Sequence, residues 1–291
     1  MRRRETAPSR IIAQKHALTE EFSQEQHVDK EEPREYYVKS LAKGLSILRV
    51  FHPDDPELRI ASIAARSGLA MPTAFRMVRT LIREGFLEAV DGGRFRLGAA
   101  AISVGFAALD GRPLIRAAGT LLRKLSESTG ETANLGVLED IGVLYLQRIR
   151  NRDLVTANIH VGTILPAAAT SMGKILLSGL PAGVLADRLS RLDYAAARGP
   201  NARRTADELR ADLTATRDRG WAFQDEELDY GLRSIAAGIK DRTGATVAAI
   251  NLAVPAARWS LDELIERCLF ALLDTAGQIE RALLGPSRIG V

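Results

Sequence analysis

The run Ser171-Met172-Gly173-Lys174 spells S-x-x-K. At that spacing a lysine one helical turn away can take the proton of a serine nucleophile. Acyl enzymes built on this pair also carry S-D-N and K-T-G elements, and neither occurs in the 291 residues. The same run also reads as a helix start. The first-turn amides, those of Met172 and Gly173 among them, lack intrahelical acceptors and face an anion where one binds. A simpler reading of the residues is that Thr170 or Ser171 caps that turn. Gln224-Asp225-Glu226-Glu227 sets three carboxylates side by side, with Asp229 close by. Alternate residues of a strand face opposite sides, so this cluster is expected to serve turns and surface pairing. The four histidines are His16, His27, His52 and His160. They are scattered, and His160 is expected as a satisfied strand residue, so no metal site is expected. Cys268, the one cysteine, falls on an apolar helical face and reads as core. No phosphate loop or dinucleotide glycine pattern is present, and no cofactor is expected.

A second chemistry comes from arginines. Between Arg59 and Arg83 stand Arg59, Arg66, Arg76, Arg79 and Arg83, with no acidic residue among them. On a helical wheel for residues 72–83, Ala74, Phe75, Val78, Leu81 and Ile82 share one arc. Pro72, Arg76, Arg79 and Arg83 share another, with Thr73 and Thr80 beside it. A greasy inner face and a cationic outer face suit a helix lying in a DNA major groove. A plain helical hairpin with a solvated basic face is the alternative. Net charge is +4 and the pI about 9.4, so the balance is mildly basic and the placement of charge carries more information than its sum.

Elements must hold these residues. Residues 1–35 are polar and mixed in charge, and are read as a loose arm whose Arg2, Arg3 and Arg4 can touch phosphates. In VKSLAKGLSILRVF, Leu41, Leu45, Leu48 and Phe51 recur at helical spacing, and the His52–Pro56 segment stops that helix. LRIASIAARSG predicts a short helix with Ile60, Ile63 and Ala64 inward, ending at Ser67-Gly68. FLEAV and RFRL flank Asp91-Gly92-Gly93, a hairpin signal, with Arg94 and Arg96 on one side and Phe95 and Leu97 on the other. Helix, helix, turn, helix and basic hairpin make a winged helix-turn-helix, expected over 36–98. A linker helix follows over 99–112.

Strands and helices alternate through 113–285, with 286–291 as a tail. NLGVLED and IGVLYLQRIR predict a hairpin about Glu139-Asp140, and DLVTANIHV a third strand. WAFQDEE, RSIAAGIKD and ATVAAINLAV predict three more. Thr205–Glu208 and Ser260–Glu263 are capping boxes. The fold class expected is α+β, with a mostly antiparallel sheet and helices outside it. The longest apolar run, 99–109, is too short to span a bilayer. No apolar stretch follows Met1-Arg2-Arg3-Arg4, so a soluble cytoplasmic protein is expected, without membrane partners.

The arrangement resembles the IclR family of bacterial transcription regulators over about residues 36–285. The resemblance is carried by YVKSLAKGLSILRVF, LRIASIAARSGLAMPTAFRMVRTLIREGFLE, LPAAATSMGKILLSG, GWAFQDEELDYGLRSIAAGI and VAAINLAVP. It implies a winged-helix domain, a linker helix and a GAF-like α/β effector domain. It also implies a homodimer or dimer of dimers on a promoter palindrome in double-stranded DNA, and a small organic or aromatic acid as effector. Family effector contacts map onto Gln224, Ser234, Asn251 and Ala253. Gln224 stands where some members have Asp, and Ala253 where some have Ser. Met71-Pro72 opens the recognition helix where many members carry Lys-Ser. YVKSLAKGL is similar to members that control protocatechuate, 4-hydroxybenzoate and β-ketoadipate catabolism. On this reading Arg59, Met71, Pro72, Thr73, Arg76, Arg79, Arg94 and Arg96 meet DNA. The effector lies near Ser171, Met172, Gly173, Gln224, Ser234, Asn251 and Ala253. A serine acyl enzyme using Ser171 and Lys174, and a DNA-binding protein with no working ligand site, are the alternatives.

Overall fold

The computed structural model describes residues 36–150 and 159–284. These form two compact units, the first ending at Arg96 and the second running from Leu97, with the 52–56 loop counted in the second. The calls on Arg2, Arg3 and Arg4 lie outside the described residues.

The first unit holds α1 (Lys39–Leu48), β1 (Leu58–Arg59), α2 (Ile60–Ser67), α3 (Met71–Arg83), β2 (Leu87–Val90) and β3, which starts at Arg94 (Arg94–Leu97). Ile47, Leu58, Ile63, Val78 and Leu87 form its core. Each contributes about 1.5–3 kcal/mol by leaving water. Gly68 ends α2 with φ +69°, left-handed backbone that side chains resist, and so turns the chain into α3. Three expectations need correction. Leu58 and Arg59 are a strand, paired with Phe95 and Arg94. That pairing lays Leu58 over the core and adds a third strand to the wing. Leu41 and Leu45 are exposed while Ile47 is fully buried, because α2 and α3 cover the face of α1 that carries Ile47. Phe75 is 51% exposed, and Met77 packs against the core instead.

The second unit starts with α4 (Ala99–Asp110) and α5 (Pro113–Thr129). A six-stranded antiparallel sheet follows in the order β6-β5-β4-β9-β8-β7. Its strands are β4 (Thr132–Glu139), β5 (Gly142–Ile149), β6 (Ile164–Pro166), β7 (Trp221–Asp225), β8 (Leu232–Lys240) and β9 (Thr246–Pro255). Between β6 and β7 come α6 (Ser171–Ser178), α7 (Ala182–Arg191) and α8 (Ala206–Arg219), and α9 (Leu261–Leu284) closes the chain.

Alternation sorts the sheet's two faces. Ile235, Ala237, Ile250, Leu252 and Val254 pack with α5 and α9, including Leu122, Cys268 and Leu272. Tyr145, Ala222, Ala236 and Ala249 pack with α6 and α8, including Met172, Leu176 and Leu213. Ser260 and Glu263 form a complete capping box on α9. At α8, Thr205 accepts from the Glu208 amide, and Glu208 reaches the Arg204 amide rather than that of Thr205.

Residues 153–158 of the strand expected over DLVTANIHV lie outside the described residues. His160 is in a turn, not a strand. Its amide donates to Thr163 Oγ1 and its carbonyl accepts from the Thr163 amide, a reversal that Gly162 permits at φ +91°. The strand after it, β6, pairs with residues 142–144.

Candidate functional site

In the second unit, register brings distant residues together. Gln224 lies opposite Ser234, and Ser234 opposite Ala253. One row along, Asn251 lies opposite Asn134, and Asn134 opposite Arg148. All face the α6 side of the sheet. Gln224, Ser234, Asn251 and Ala253 therefore line one cavity, together with Asn134, Tyr145, Arg148 and Thr170. Arg148 is the only charged residue of this lining among the described residues.

Arg148 and Tyr145 reach the same side although they stand three positions apart. Leu135 pairs with Gln147 and Gly136 with Tyr145, so Leu146 is an extra residue in β5. Such a bulge shifts the parity of a strand. A hydrogen-bonded chain crosses the floor. Arg148 donates to Asn134 Oδ1 at 3.2 Å, and Asn134 Nδ2 donates to Asn251 Oδ1 at 2.7 Å. Burial holds the Arg148 pKa below its usual value, with Arg150 pushing the same way and Tyr145 opposing. Burial raises the Tyr145 phenol, with Arg148 opposing. The open space is about 10 Å³, room for one water; benzene occupies an engineered cavity of roughly 150 Å³. A wider groove of about 470 Å³, lined by Ser178, Gly179, Arg217, Lys240 and Thr246 among others, holds none of these residues.

The start of α6 behaves differently from the anion-site reading. Thr170 Oγ1 accepts from the Gly173 amide at 2.9 Å, and the Thr170 carbonyl accepts from the Lys174 amide, so Thr170 is the cap. Met172 is fully buried in the core between sheet and helices. A Cβ on Gly173 would run into the Ala167 carbonyl, so close packing requires that glycine. Met172 and Gly173 do not line the cavity. Ser171 meets it one bond away, through Ser234 Oγ at 2.7 Å.

Serine–lysine chemistry is overturned by the position of Lys174. Its Nζ is fully buried and bonds Asp212 Oδ2 and Glu227 Oε1, both at 2.6 Å, and the Phe223 carbonyl at 3.2 Å. An ammonium held by two carboxylates has no free base to offer Ser171. The acidic cluster divides accordingly. Asp225 and Glu226 pair with Arg233, while Glu227 is buried and its carboxyl pKa is raised by that burial, against the pull of Lys174. The Gln224 carboxamide is spent locally, donating to the Leu232 carbonyl and accepting from the Glu227 amide, each at 3.0 Å.

In the first unit, Arg59, Met71, Pro72, Arg76, Arg79 and Arg83 are exposed and Thr73 is half-buried. Arg76, Arg79 and Arg83 form no ion pair among the described residues. Thr80 donates its hydroxyl proton back to the Arg76 carbonyl, so outward it can only accept. Arg59 faces Arg94 across the β1–β3 ladder. Arg94 pairs with Glu57 at 3.4 Å and Arg96 with Glu88 at 2.6 Å, both at the surface.

Residues 40–91 match the IclR helix-turn-helix domain, and residues 106–281 match the C-terminal domain of the bacterial transcriptional regulator IclR. The chain belongs to the IclR family. It is a DNA-binding transcriptional regulator, not an enzyme. It is 33% identical over 250 residues to the Pca regulon regulatory protein of Pseudomonas putida, covering 86% of this chain and 85% of that one. It is 31% identical over 237 residues to the transcriptional repressor IclR of Escherichia coli strain K12, covering 79% and 84%. Among solved structures, an IclR homolog from Microbacterium hydrocarbonoxydans complexed with 4-hydroxybenzoate has a TM-score of 0.73 at 26% identity, over 84% of this chain and 99% of that one. Among the described residues of this IclR-family chain, no helix is long and apolar enough to cross a membrane.

Proposed function

We propose that the chain regulates a catabolic operon by reading a promoter palindrome as a homodimer or dimer of dimers, with a small aromatic acid as effector. The observation that carries the effector half is the shared cavity of Gln224, Ser234, Asn251 and Ala253, with Arg148 supplying positive charge for a carboxylate. Asn134, Ser234 and Asn251 offer neutral hydrogen-bonding groups beside it. The relative from Pseudomonas putida and the 4-hydroxybenzoate complex support the aromatic class. Because the space is about 10 Å³, binding requires the walls to part, and the ligand selects the parted arrangement by its affinity for it.

On DNA, Thr73, Arg76 and Arg79 read base edges from α3, with Met71 and Pro72 at its start. Arg59, Arg94 and Arg96 take phosphates from the wing. Arg94 and Arg96 exchange Glu57 and Glu88 for phosphate. That exchange costs little, since exposed ion pairs are worth only ~0–1 kcal/mol.

The test is duplex binding by anisotropy, using DNA upstream of the protein's own gene, with 4-hydroxybenzoate or its uncharged amide. The acid should shift DNA affinity and the amide should not, and Arg148→Gln should erase the shift. Arg76→Ala should lose ~1–3 kcal/mol of discrimination between matched and mismatched sites. Equal responses to acid and amide would overturn the charge reading. An unchanged sequence preference in Arg76→Ala would overturn base reading by that side chain.

A further inference from the structure

Lys174 is the largest fully buried side chain of the second unit, and neither DNA reading nor the lining of the cavity uses it. A buried ammonium is costly unless paired, so its pairing has a structural consequence. The ion pair with Glu227 joins α6 to the turn between β7 and β8. That turn carries Leu228, and its two ends carry Gln224 and Leu232; all three line the cavity. Glu227 is bound to Gln224 directly and to Leu232 through it, since its amide donates to Gln224 Oε1 and Gln224 Nε2 donates to the Leu232 carbonyl. The other carboxylate oxygen, Glu227 Oε2, is buried without a partner among the described residues. The side chain is therefore held through Oε1 alone. Around the pair stand Asp212, which also holds Lys174, and Arg203 and Arg219, which approach Asp212 at 3.3 and 3.7 Å. The strap 198–201 meets the same turn from the other side, its amides donating to the carbonyls of Glu226, Glu227 and Leu228.

One turn of α6 thus grips the cavity at two places. Ser171 bonds Ser234 on β8, and Lys174, three residues later, bonds Glu227 and the Phe223 carbonyl of β7. We propose that Lys174 and Glu227 are a positioning pair that fixes the β7–β8 turn against α6 and so sets the affinity of the cavity without touching the ligand. The affinity half of this proposal rests on the effector reading above, whereas the turn-fixing half does not. It also gives the S-x-x-K spacing a non-chemical role. Serine and lysine on one helical face fasten two neighbouring strands.

The test reads the turn first. Hydrogen–deuterium exchange of the full chain without ligand compares wild type with Glu227→Gln, which keeps size and loses charge. Residues 224–232 should exchange about tenfold faster, with β4 and β9 unchanged and duplex binding intact. Unchanged exchange at 224–232, or equal acceleration across the sheet, would overturn the proposal. The double variant Lys174→Met with Glu227→Met removes both charges. It should recover the melting temperature toward wild type while the turn stays fast. If protection of the turn returns along with stability, any filler suffices and the pair positions nothing. A titration with 4-hydroxybenzoate should then show weaker binding in Glu227→Gln than in wild type, and equal affinity would overturn the affinity half. If wild type binds no aromatic acid, the effector reading falls and takes the affinity half with it, while the turn-fixing half stands or falls on the exchange result, which needs no ligand.

Discussion

Gly173 shows how a single residue separates packing from binding. Its position in the first turn of α6 is that of an anion-binding amide, yet that amide donates to Thr170 Oγ1 and its α-carbon lies against Ala167. A methyl there meets the rigid backbone of Ala167. Gly173→Ala should cost at least the ~1–3 kcal/mol of an overpacked core, measured as a lower melting temperature and a lower urea midpoint. Stability equal to wild type would mean that the helix start is looser than its contacts indicate. Legibility at this scale was uneven. The exposure of Arg76 and Arg79 followed from the wheel, because an inner face of Ala74 and Val78 leaves them only solvent. Arg148 was missed because nothing local marks it. Most of its neighbours in the cavity come from β7, β8 and β9, far along the chain, and the extra residue Leu146 breaks the alternation that would have sided it. Lys174 was noticed for its spacing to Ser171, but its real partners, Asp212 and Glu227, are close only in the fold.

Between α3 and the wing, the wing is the one whose arginines are already engaged. Arg96 is hydrogen-bonded to Glu88 across the hairpin, and that contact raises its pKa. If the wing meets phosphate, Glu88 competes with DNA for Arg96. Glu88→Gln should strengthen duplex binding and steepen its salt dependence by up to about one counterion, read from titrations at several salt concentrations. An unchanged slope would place Arg96 away from the backbone. Most elements were readable from turn chemistry and period. Gly68, Gly92, Gly93 and the two capping boxes marked real boundaries, and the hairpin about Glu139-Asp140 stands. The failures share a cause. Leu58-Arg59 is too short to show a period and becomes a strand only because β3 lies beside it. His160 is expected within the strand over DLVTANIHV, whereas residues 160–163 close a turn.

At the scale of the whole molecule, α4 lies largely outside the core, with Leu109 packed against it. It is almost entirely apolar, yet none of its residues is buried, and Ile102, Val104 and Phe106 are each more than half exposed. Soluble chains seldom leave such a surface bare. If the operator is the palindrome proposed above, a second copy is the occupant, because each half-site needs its own α3. Phe106→Glu should shift sedimentation toward the monomer and weaken binding to a full palindrome far more than to a half-site. A wild-type chain that sediments as a monomer at micromolar concentration would end this reading.

An assembly sealed by α4 would also carry a thermal signature. Attraction between oily surfaces fades as water is chilled, so dilute protein on ice should drift toward single subunits and let go of its operator. Gentle warming to ambient temperature should restore both, which is the reverse of the trend expected for a complex held by charge alone.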